Sequence, residues 1–189
     1  MRIIAGLGKG RNLFSPVGAT RPTSDRAREA LFSTLESEFG SISDLTFLDL
    51  YCGSGAVGVE AISRGAAVVY AVDNDDKATQ VARQNFELLQ SLTGIGSHNV
   101  ITSSVGKFLE KGADLKFDVV FLDPPYDLPN NEIEKNLSAL LRNSFLKSSS
   151  VIAIERDSKS KPLAWPEGLS EVKVRKYGAA TIIYAEPTA

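Results

Sequence analysis

The chain is poor in the residues that most often build metal and nucleophile sites. Among 189 residues there is one cysteine, Cys52, and one histidine, His98. A lone cysteine forms no internal disulfide and no multi-cysteine metal site. A lone histidine excludes His-pair chemistry, and no metal is expected. Also missing is any apolar run near the roughly 20 residues that span a bilayer. The opening stretch MRIIAGLGKGR lacks the long apolar core of a secretory signal. A cytoplasmic protein with no membrane association is therefore expected. No internal repeat, low-complexity segment or long linker divides the chain. Hydrophobic residues make up 43%, enough for one domain with a real core.

Charge is present but uneven. The net charge is -2. Within residues 1–28, Arg2, Lys9, Arg11, Arg21, Arg26 and Arg28 face Asp25 alone. Such a basic end suits an anionic partner; the alternative is a solvated surface face.

The apolar pattern gives an order of elements. Residues 2–6 and 11–14 read as short strands of a hairpin around Leu7-Gly8-Lys9-Gly10. Residues 15–22 read as a crossing loop, with Thr23, Ser24 and Asp25 as candidate helix caps. A helix follows, with Ala27, Ala30, Leu31, Thr34, Leu35 and Phe39 on one stripe and Gly40 as its stop. Arg26 and Arg28 fall off that stripe, which leaves them free to face a partner. From residue 46 the chain alternates: strand 46–50, helix 55–64, strand 67–72, helix 75–92, strand 100–103, strand 117–122, helix 131–142 and strand 150–154. Segments 172–177 and 181–185 close as a hairpin. Alternation of this kind predicts a mostly parallel, Rossmann-like α/β sheet with helices on both faces.

Between the strand at 46–50 and its helix lies Asp49-Leu50-Tyr51-Cys52-Gly53-Ser54-Gly55-Ala56-Val57-Gly58. Glycines let the backbone turn sharply and approach a ligand. Gly53, Gly55 and Gly58 fit the dinucleotide-loop pattern. Asp73 ends the next strand, 18 residues after Gly55, where a carboxylate can accept both hydroxyls of a ribose. Asn74 follows it. A nicotinamide dinucleotide would place an anionic pyrophosphate over the turn, and Asp49 would repel it. The same carboxylate attracts the amino group of S-adenosylmethionine (SAM), near its positive sulfonium. SAM is therefore favoured over a dinucleotide, and both over a purely structural turn. The D-x-x-x-G-x-G pattern resembles class I SAM-dependent methyltransferases. In that class the third strand often ends in an acidic residue facing adenine; here Ser103 and Ser104 stand there, uncharged.

The second motif is Phe117 to Tyr126. Its apolar run ends in Asp123-Pro124-Pro125-Tyr126. Two prolines donate no backbone hydrogen bond, so the strand must stop and a stiff loop must begin. Asp-Pro-Pro-Tyr resembles the loop of methyltransferases acting on amines attached to planar groups. Such an amine is a poor nucleophile because its lone pair is delocalised. Hydrogen bonds from its N–H groups to Asp123 and the Pro124 carbonyl draw the nitrogen towards tetrahedral geometry and free the lone pair. Pro125 fixes the loop, and Tyr126 can stack on the base, worth roughly 1–3 kcal/mol. Cys52 lies in the cofactor loop and reads as a packed thiol. His98 reads as a loop residue, and Trp165 as packing.

Taken together, Arg2-Ile3-Ile4-Ala5-Gly6, Arg21-Pro22-Thr23-Ser24-Asp25-Arg26-Ala27-Arg28-Glu29, Leu48 to Gly55 and Asp123 to Tyr126 resemble the RsmD family over nearly the whole chain. The resemblance implies a bacterial methyltransferase acting on the exocyclic N2 of one guanine in 16S rRNA. It implies a seven-stranded class I methyltransferase sheet over 23–189, with residues 1–22 as a small RNA-facing β-hairpin extension. It implies SAM held by Asp49, Tyr51, Gly53, Ser54, Gly55, Asp73, Asn74, Ser103 and Ser104. It puts Arg11, Arg21, Arg26 and Arg28 along the path of 16S rRNA or of an assembling small subunit, bound by a monomer. The residues alone leave open adenine-N6 methylation of DNA or RNA, glutamine methylation of a protein, and a non-catalytic RNA-binding assembly factor.

Overall fold

The computed structural model describes residues 1–15 and 25–188. Arg21 and the candidate caps Thr23 and Ser24 lie outside the described residues. Five helices and seven strands follow in the order α1 (Asp25–Phe39), β1 (Thr46–Leu50), α2 (Ala56–Ser63), β2 (Val68–Asp73), α3 (Asp76–Glu87), β3 (Ser97–Thr102), α4 (Val105–Glu110), β4 (Phe117–Leu122), α5 (Asn130–Arg142), β5 (Leu146–Asp157), β6 (Leu169–Tyr177) and β7 (Ala180–Pro187) among the described residues. They build one sheet in the order β3-β2-β1-β4-β5-β7-β6. The first five strands run parallel, and β7 runs antiparallel to both β5 and β6.

The central strands β1 and β4 are buried on both sides because both sides are covered. Phe47, Val119, Phe121 and Ala153 pack in one core with Leu31, Phe32 and Leu35 of α1 and Val59 and Ile62 of α2. Leu48, Leu50, Val120, Leu122 and Ile154 pack in the other, under Val105 and Leu109 of α4 and Ile133, Leu137 and Leu140 of α5. Alternate residues of one strand thus feed opposite layers. No helix among the described residues is long and apolar enough to cross a membrane.

Several elements differ from the sequence expectation. Helix α4 carries no clear periodic signal because it has only 6 residues. Helix α3 ends at Glu87 rather than Leu92. Beyond it, Leu89, Gln90 and Leu92 bond three residues back, a tighter winding that still buries Leu89. Strand β5 begins at Leu146, through a polar stretch. Ser150 satisfies that stretch by donating to the Phe117 carbonyl (2.6 Å) and accepting from the Lys147 amide (2.7 Å). His98 lies inside β3 and stacks on Phe86, with ring centroids 4.6 Å apart.

Residues 1–15 are strapped onto the molecule. Their antiparallel pairing is a single bridge between Arg2 and Asn12, with no extended strands. Ile3 and Leu13 are buried in the first core. Buried Glu60 of α2 accepts the Ile4 and Ala5 amides at 2.8 and 2.9 Å. The Leu7 amide reaches the Ser63 carbonyl at 2.7 Å. Gly6 makes this approach possible: its φ is +78°, and a Cβ would lie 1.8 Å from that same oxygen.

Candidate active site

The strand order reverses direction between β1 and β4, so the loops leaving their C-terminal ends diverge and leave a crevice. Both sequence motifs open onto it. Asp49 pairs in register with Phe121, and Leu50 with Leu122. The Asp123 amide then donates to the Leu50 carbonyl at 3.2 Å, which ties the second loop to the first.

The loop after β1 turns by positive φ. Tyr51 has φ 60°, Gly53 53° and Gly55 72°. For Tyr51 this left-handed conformation is uncommon and costly. An anchor holds it: Asn136 of α5 donates to the Tyr51 hydroxyl at 2.8 Å. Asp49 is buried, and the Gly58 amide donates to it at 3.0 Å. Gly58 permits that approach, since a Cβ there would meet Phe86 at 2.9 Å and Val69 at 3.0 Å. Burial pushes the Asp49 carboxyl up to about 8; the Gly58 hydrogen bond opposes this, and the charges of Asp123 and Asp73 add to it. Asp73 ends β2. One of its oxygens accepts from the Gly53 amide (2.8 Å) and the other from the Asp75 amide (2.9 Å). A carboxylate has about four acceptor positions, so each oxygen keeps capacity for a hydroxyl.

This donor set selects its ligand. Asp49 sits among carboxylates, and a bound cation would relieve it, whereas a pyrophosphate would make it worse. Acceptors on Asp73 suit ribose hydroxyls. The residues present therefore fit SAM and do not fit a dinucleotide. Ser54 is buried and Asn74 exposed. The Ser103 amide bonds the Asp73 carbonyl at 2.8 Å, and its hydroxyl donates to the Ser104 carbonyl at 3.1 Å. These two residues thus border Asp73 and begin α4. Burial, with Asp49 and Asp73 beside it, holds the Cys52 thiol well above its usual value, so it is no nucleophile at neutral pH.

On the other side of the crevice Asp123 and Tyr126 are half-buried, Pro124 is buried and Pro125 is exposed. The turn closes with the Leu128 amide on the Pro125 carbonyl at 2.9 Å.

The basic end divides. Arg26 is exposed. Arg28 is enclosed, which corrects its expected place on an RNA-facing surface: it donates to the Arg2 carbonyl (2.6 Å) and to Asp25 (3.0 Å), and lies 3.7 Å from Glu60. Arg28 lies four residues before Phe32 and seven before Leu35, on the buried face of α1, where the Arg2 carbonyl of the N-terminal segment meets it and Glu60 faces it. The Arg11 guanidinium is half-buried and donates to the Leu88 carbonyl. The stripe read from the sequence leaves out Phe32, whose spacing from Arg28 puts both on the buried face of α1; Arg11 carries no such signal.

Sequence reasoning also missed Asn85. It is fully buried on α3, accepts the Phe14 amide (2.8 Å), and donates to the Phe14 and Ser54 carbonyls (3.0 and 2.9 Å). It joins the N-terminal segment to the cofactor loop. The available signal was an amide at the helical spacing of Ala78, Ala82 and Phe86, on a face that also buries Thr79.

A family model described as Conserved hypothetical protein 95 matches residues 1–186. Ribosomal RNA small subunit methyltransferase D of Haemophilus influenzae is 37% identical over 94% of this chain and 89% of that protein. The protein of the same description from Escherichia coli is 35% identical over 83% of this chain and 75% of its own length. The solved structure of yhhF from Escherichia coli superposes with a TM-score of 0.84 at 29% identity, covering 100% of this chain and 98% of that one. With the class I methyltransferase fold and both motif loops in place, the chain belongs to the RsmD family.

Proposed function

We propose that the protein methylates the exocyclic N2 of a guanine in 16S rRNA, with SAM as methyl donor. The observation that carries this reading is the pairing across one crevice of a cation-seeking carboxylate, Asp49, with the Asp123-Pro124-Pro125-Tyr126 loop. The names borne by the relatives support rRNA as the substrate class.

SAM, when bound, supplies an electrophilic methyl group on a sulfonium sulfur. Asp49 holds the positive amino end, and Asp73 takes the ribose hydroxyls. Tyr51, Gly53, Ser54 and Gly55 shape the turn, with Asn74, Ser103 and Ser104 at the adenine end. Asp123 and the Pro124 carbonyl accept from the two N–H groups of the acceptor amine and aim its lone pair. Tyr126 stacks on the base. As the N–C bond forms, the bond from the methyl carbon to sulfur would break and leave a neutral thioether, and the nitrogen would lose one proton, which Asp123 accepts directly or passes to water. Arg26, together with Arg11 and Arg21, contributes phosphate contacts. Arg28 is assigned to holding α1, α2 and the N-terminal segment together.

The test is transfer of labelled methyl from SAM to deproteinised 16S rRNA, to naked DNA and to partly assembled small subunits, followed by nuclease digestion and mass analysis. N2-methylguanine in rRNA is the expected product. N6-methyladenine, label in protein, or no label in any acceptor would refute the reading.

A further inference from the structure

The loop after β4 has a hydrogen-bonding deficit that its own backbone fills only in part, through the Leu128 amide on the Pro125 carbonyl. Pro124 and Pro125 bring no N–H, so β4 loses its partner strand at this level. Its last pair with β5 is Leu122 with Ile154. Strand β5 runs on to Asp157, pairing there with β7 alone, Arg156 opposite Thr181. Ile152 and Ile154 lie in the core beneath α5. Arg156, two residues on, projects from the same face of the sheet. It does so on the edge that β4 has vacated.

The guanidinium fills the deficit. Nη1 donates to the Pro125 carbonyl at 3.4 Å, and Nη2 donates to the Leu128 carbonyl and to the Asn130 side-chain oxygen, both at 3.2 Å. Arg156 is only 4% exposed. A rigid planar fork thus holds three points between the end of the motif and the first residue of α5. The charge also lies close enough to Tyr126 and Tyr51 to interact with the phenols of both loops.

We propose that Arg156 is a positioning residue for methyl transfer, a side-chain clamp that directs the Asp123–Tyr126 loop at the acceptor without touching the acceptor itself. The proposal rests on the methyl-transfer reading of this crevice. Lysine at this position brings charge but not the fork, so it reaches one carbonyl at a time. Methionine fills the space, takes the donor from the Leu128 carbonyl and the Asn130 side-chain oxygen, and leaves the Pro125 carbonyl with the Leu128 amide.

The test uses the full chain as wild type, R156K and R156M, with labelled SAM and partly assembled small subunits. Single-turnover rate and SAM affinity are measured separately, and amide exchange is followed across residues 126–130. For R156M the expected rate is about 100-fold lower, the scale of a displacement near 1 Å. SAM affinity stays at the wild-type value, the Leu128 amide exchanges faster, and added guanidinium restores part of the rate. R156K falls between, and carries the test if R156M does not fold. A wild-type rate or unchanged exchange overturns the proposal. So does a SAM affinity that falls in step with the rate, which would make Arg156 a general structural residue. The exchange measurement needs no catalysis. It decides the clamp even if the wild-type protein transfers methyl to no RNA, an outcome that would refute the functional reading instead.

Discussion

The two loops at the crevice solve one problem by opposite means. Each must leave a buried parallel strand and present polar atoms to a ligand. The loop after β1 does so by removing side chains: glycines at 53, 55 and 58 let backbone amides turn inward, onto Asp73 and Asp49. The loop after β4 does so by removing amides: its prolines leave carbonyls outward, and their partners come from Leu128 and Arg156. The first loop is rich in donors and recognises by surrounding. The second is rich in acceptors and acts by aiming. The carboxylates differ accordingly. Asp49 is buried and pushed up to about 8, while Asp123 is half-buried at the mouth. On the proposed function, binding and chemistry are divided between neighbouring strands, and each half can be broken without the other.

The largest expected effect breaks the aiming half. Asp123→Ala should lower single-turnover rate by about 10²–10³-fold, the usual loss when one placed polar partner is removed. SAM affinity, measured by calorimetry, should stay near wild type. A comparable loss of affinity would show that the two loops do not divide the work.

Asp49→Asn breaks the other half, and in two directions. Loss of a charge-assisted contact to the SAM amino group should weaken binding by about 1.5–3 kcal/mol. Stability should move the opposite way. The folded carboxyl has its pKa raised from 3.8 to about 8, so the folded state prefers the proton. Wild-type stability from this group therefore falls as pH rises from 3.8 towards 8 and levels off above it. Asparagine still accepts from Gly58 and never ionises. The variant should melt higher than wild type at pH 8.5 and near it at pH values close to 4. A melting temperature below wild type at pH 8.5 would remove the claim that Asp49 is held at a cost for function.

The same carboxyl gives a test in the wild-type protein. At pH 7 Asp49 is mostly protonated without ligand. A bound ammonium group favours its ionised form, so SAM binding should release close to one proton, and affinity should rise with pH up to about 8. Calorimetry in two buffers of different ionisation enthalpy counts that proton. No release would mean that the amino group is bound elsewhere.

Much of this was legible from residue order. Strands β1 and β4 are short apolar runs with abrupt ends, and their limits in the structure are those read from the sequence. Both motifs lie on the loops that leave β1 and β4, because glycine and proline act locally. What stayed hidden was pairing over long separations. Arg28 stands at the helical spacing of buried Phe32 and Leu35, but the groups that meet it there, the Arg2 carbonyl and Glu60, which also takes the Ile4 and Ala5 amides, come from other elements. Asn136 and Arg156 reach Tyr51 and Pro125 from α5 and β5. No period of 2 or 3.6 residues encodes a contact with an element 31 or 85 positions away.

The smallest expected effect sharpens the contrast between the prolines of the second loop. Pro124 is buried beside the carbonyl assigned to the acceptor amine, and Pro125 is exposed. Pro125→Ala gives back an N–H and a wider choice of φ but leaves the Arg156 contact, which goes to a backbone carbonyl. Its cost is mainly the lost restriction of the unfolded loop, about 0.4–1 kcal/mol of stability. If stiffness at 125 only assists the clamp, turnover should fall by a few-fold at most, and Pro125→Ala combined with R156K should depart from the two separate losses multiplied. Residues in one hydrogen-bonded unit couple, with either sign. A double variant whose losses simply multiply would mean that the loop is aimed by Arg156 and stiffened by proline independently. The acceptor side would then be two devices rather than one.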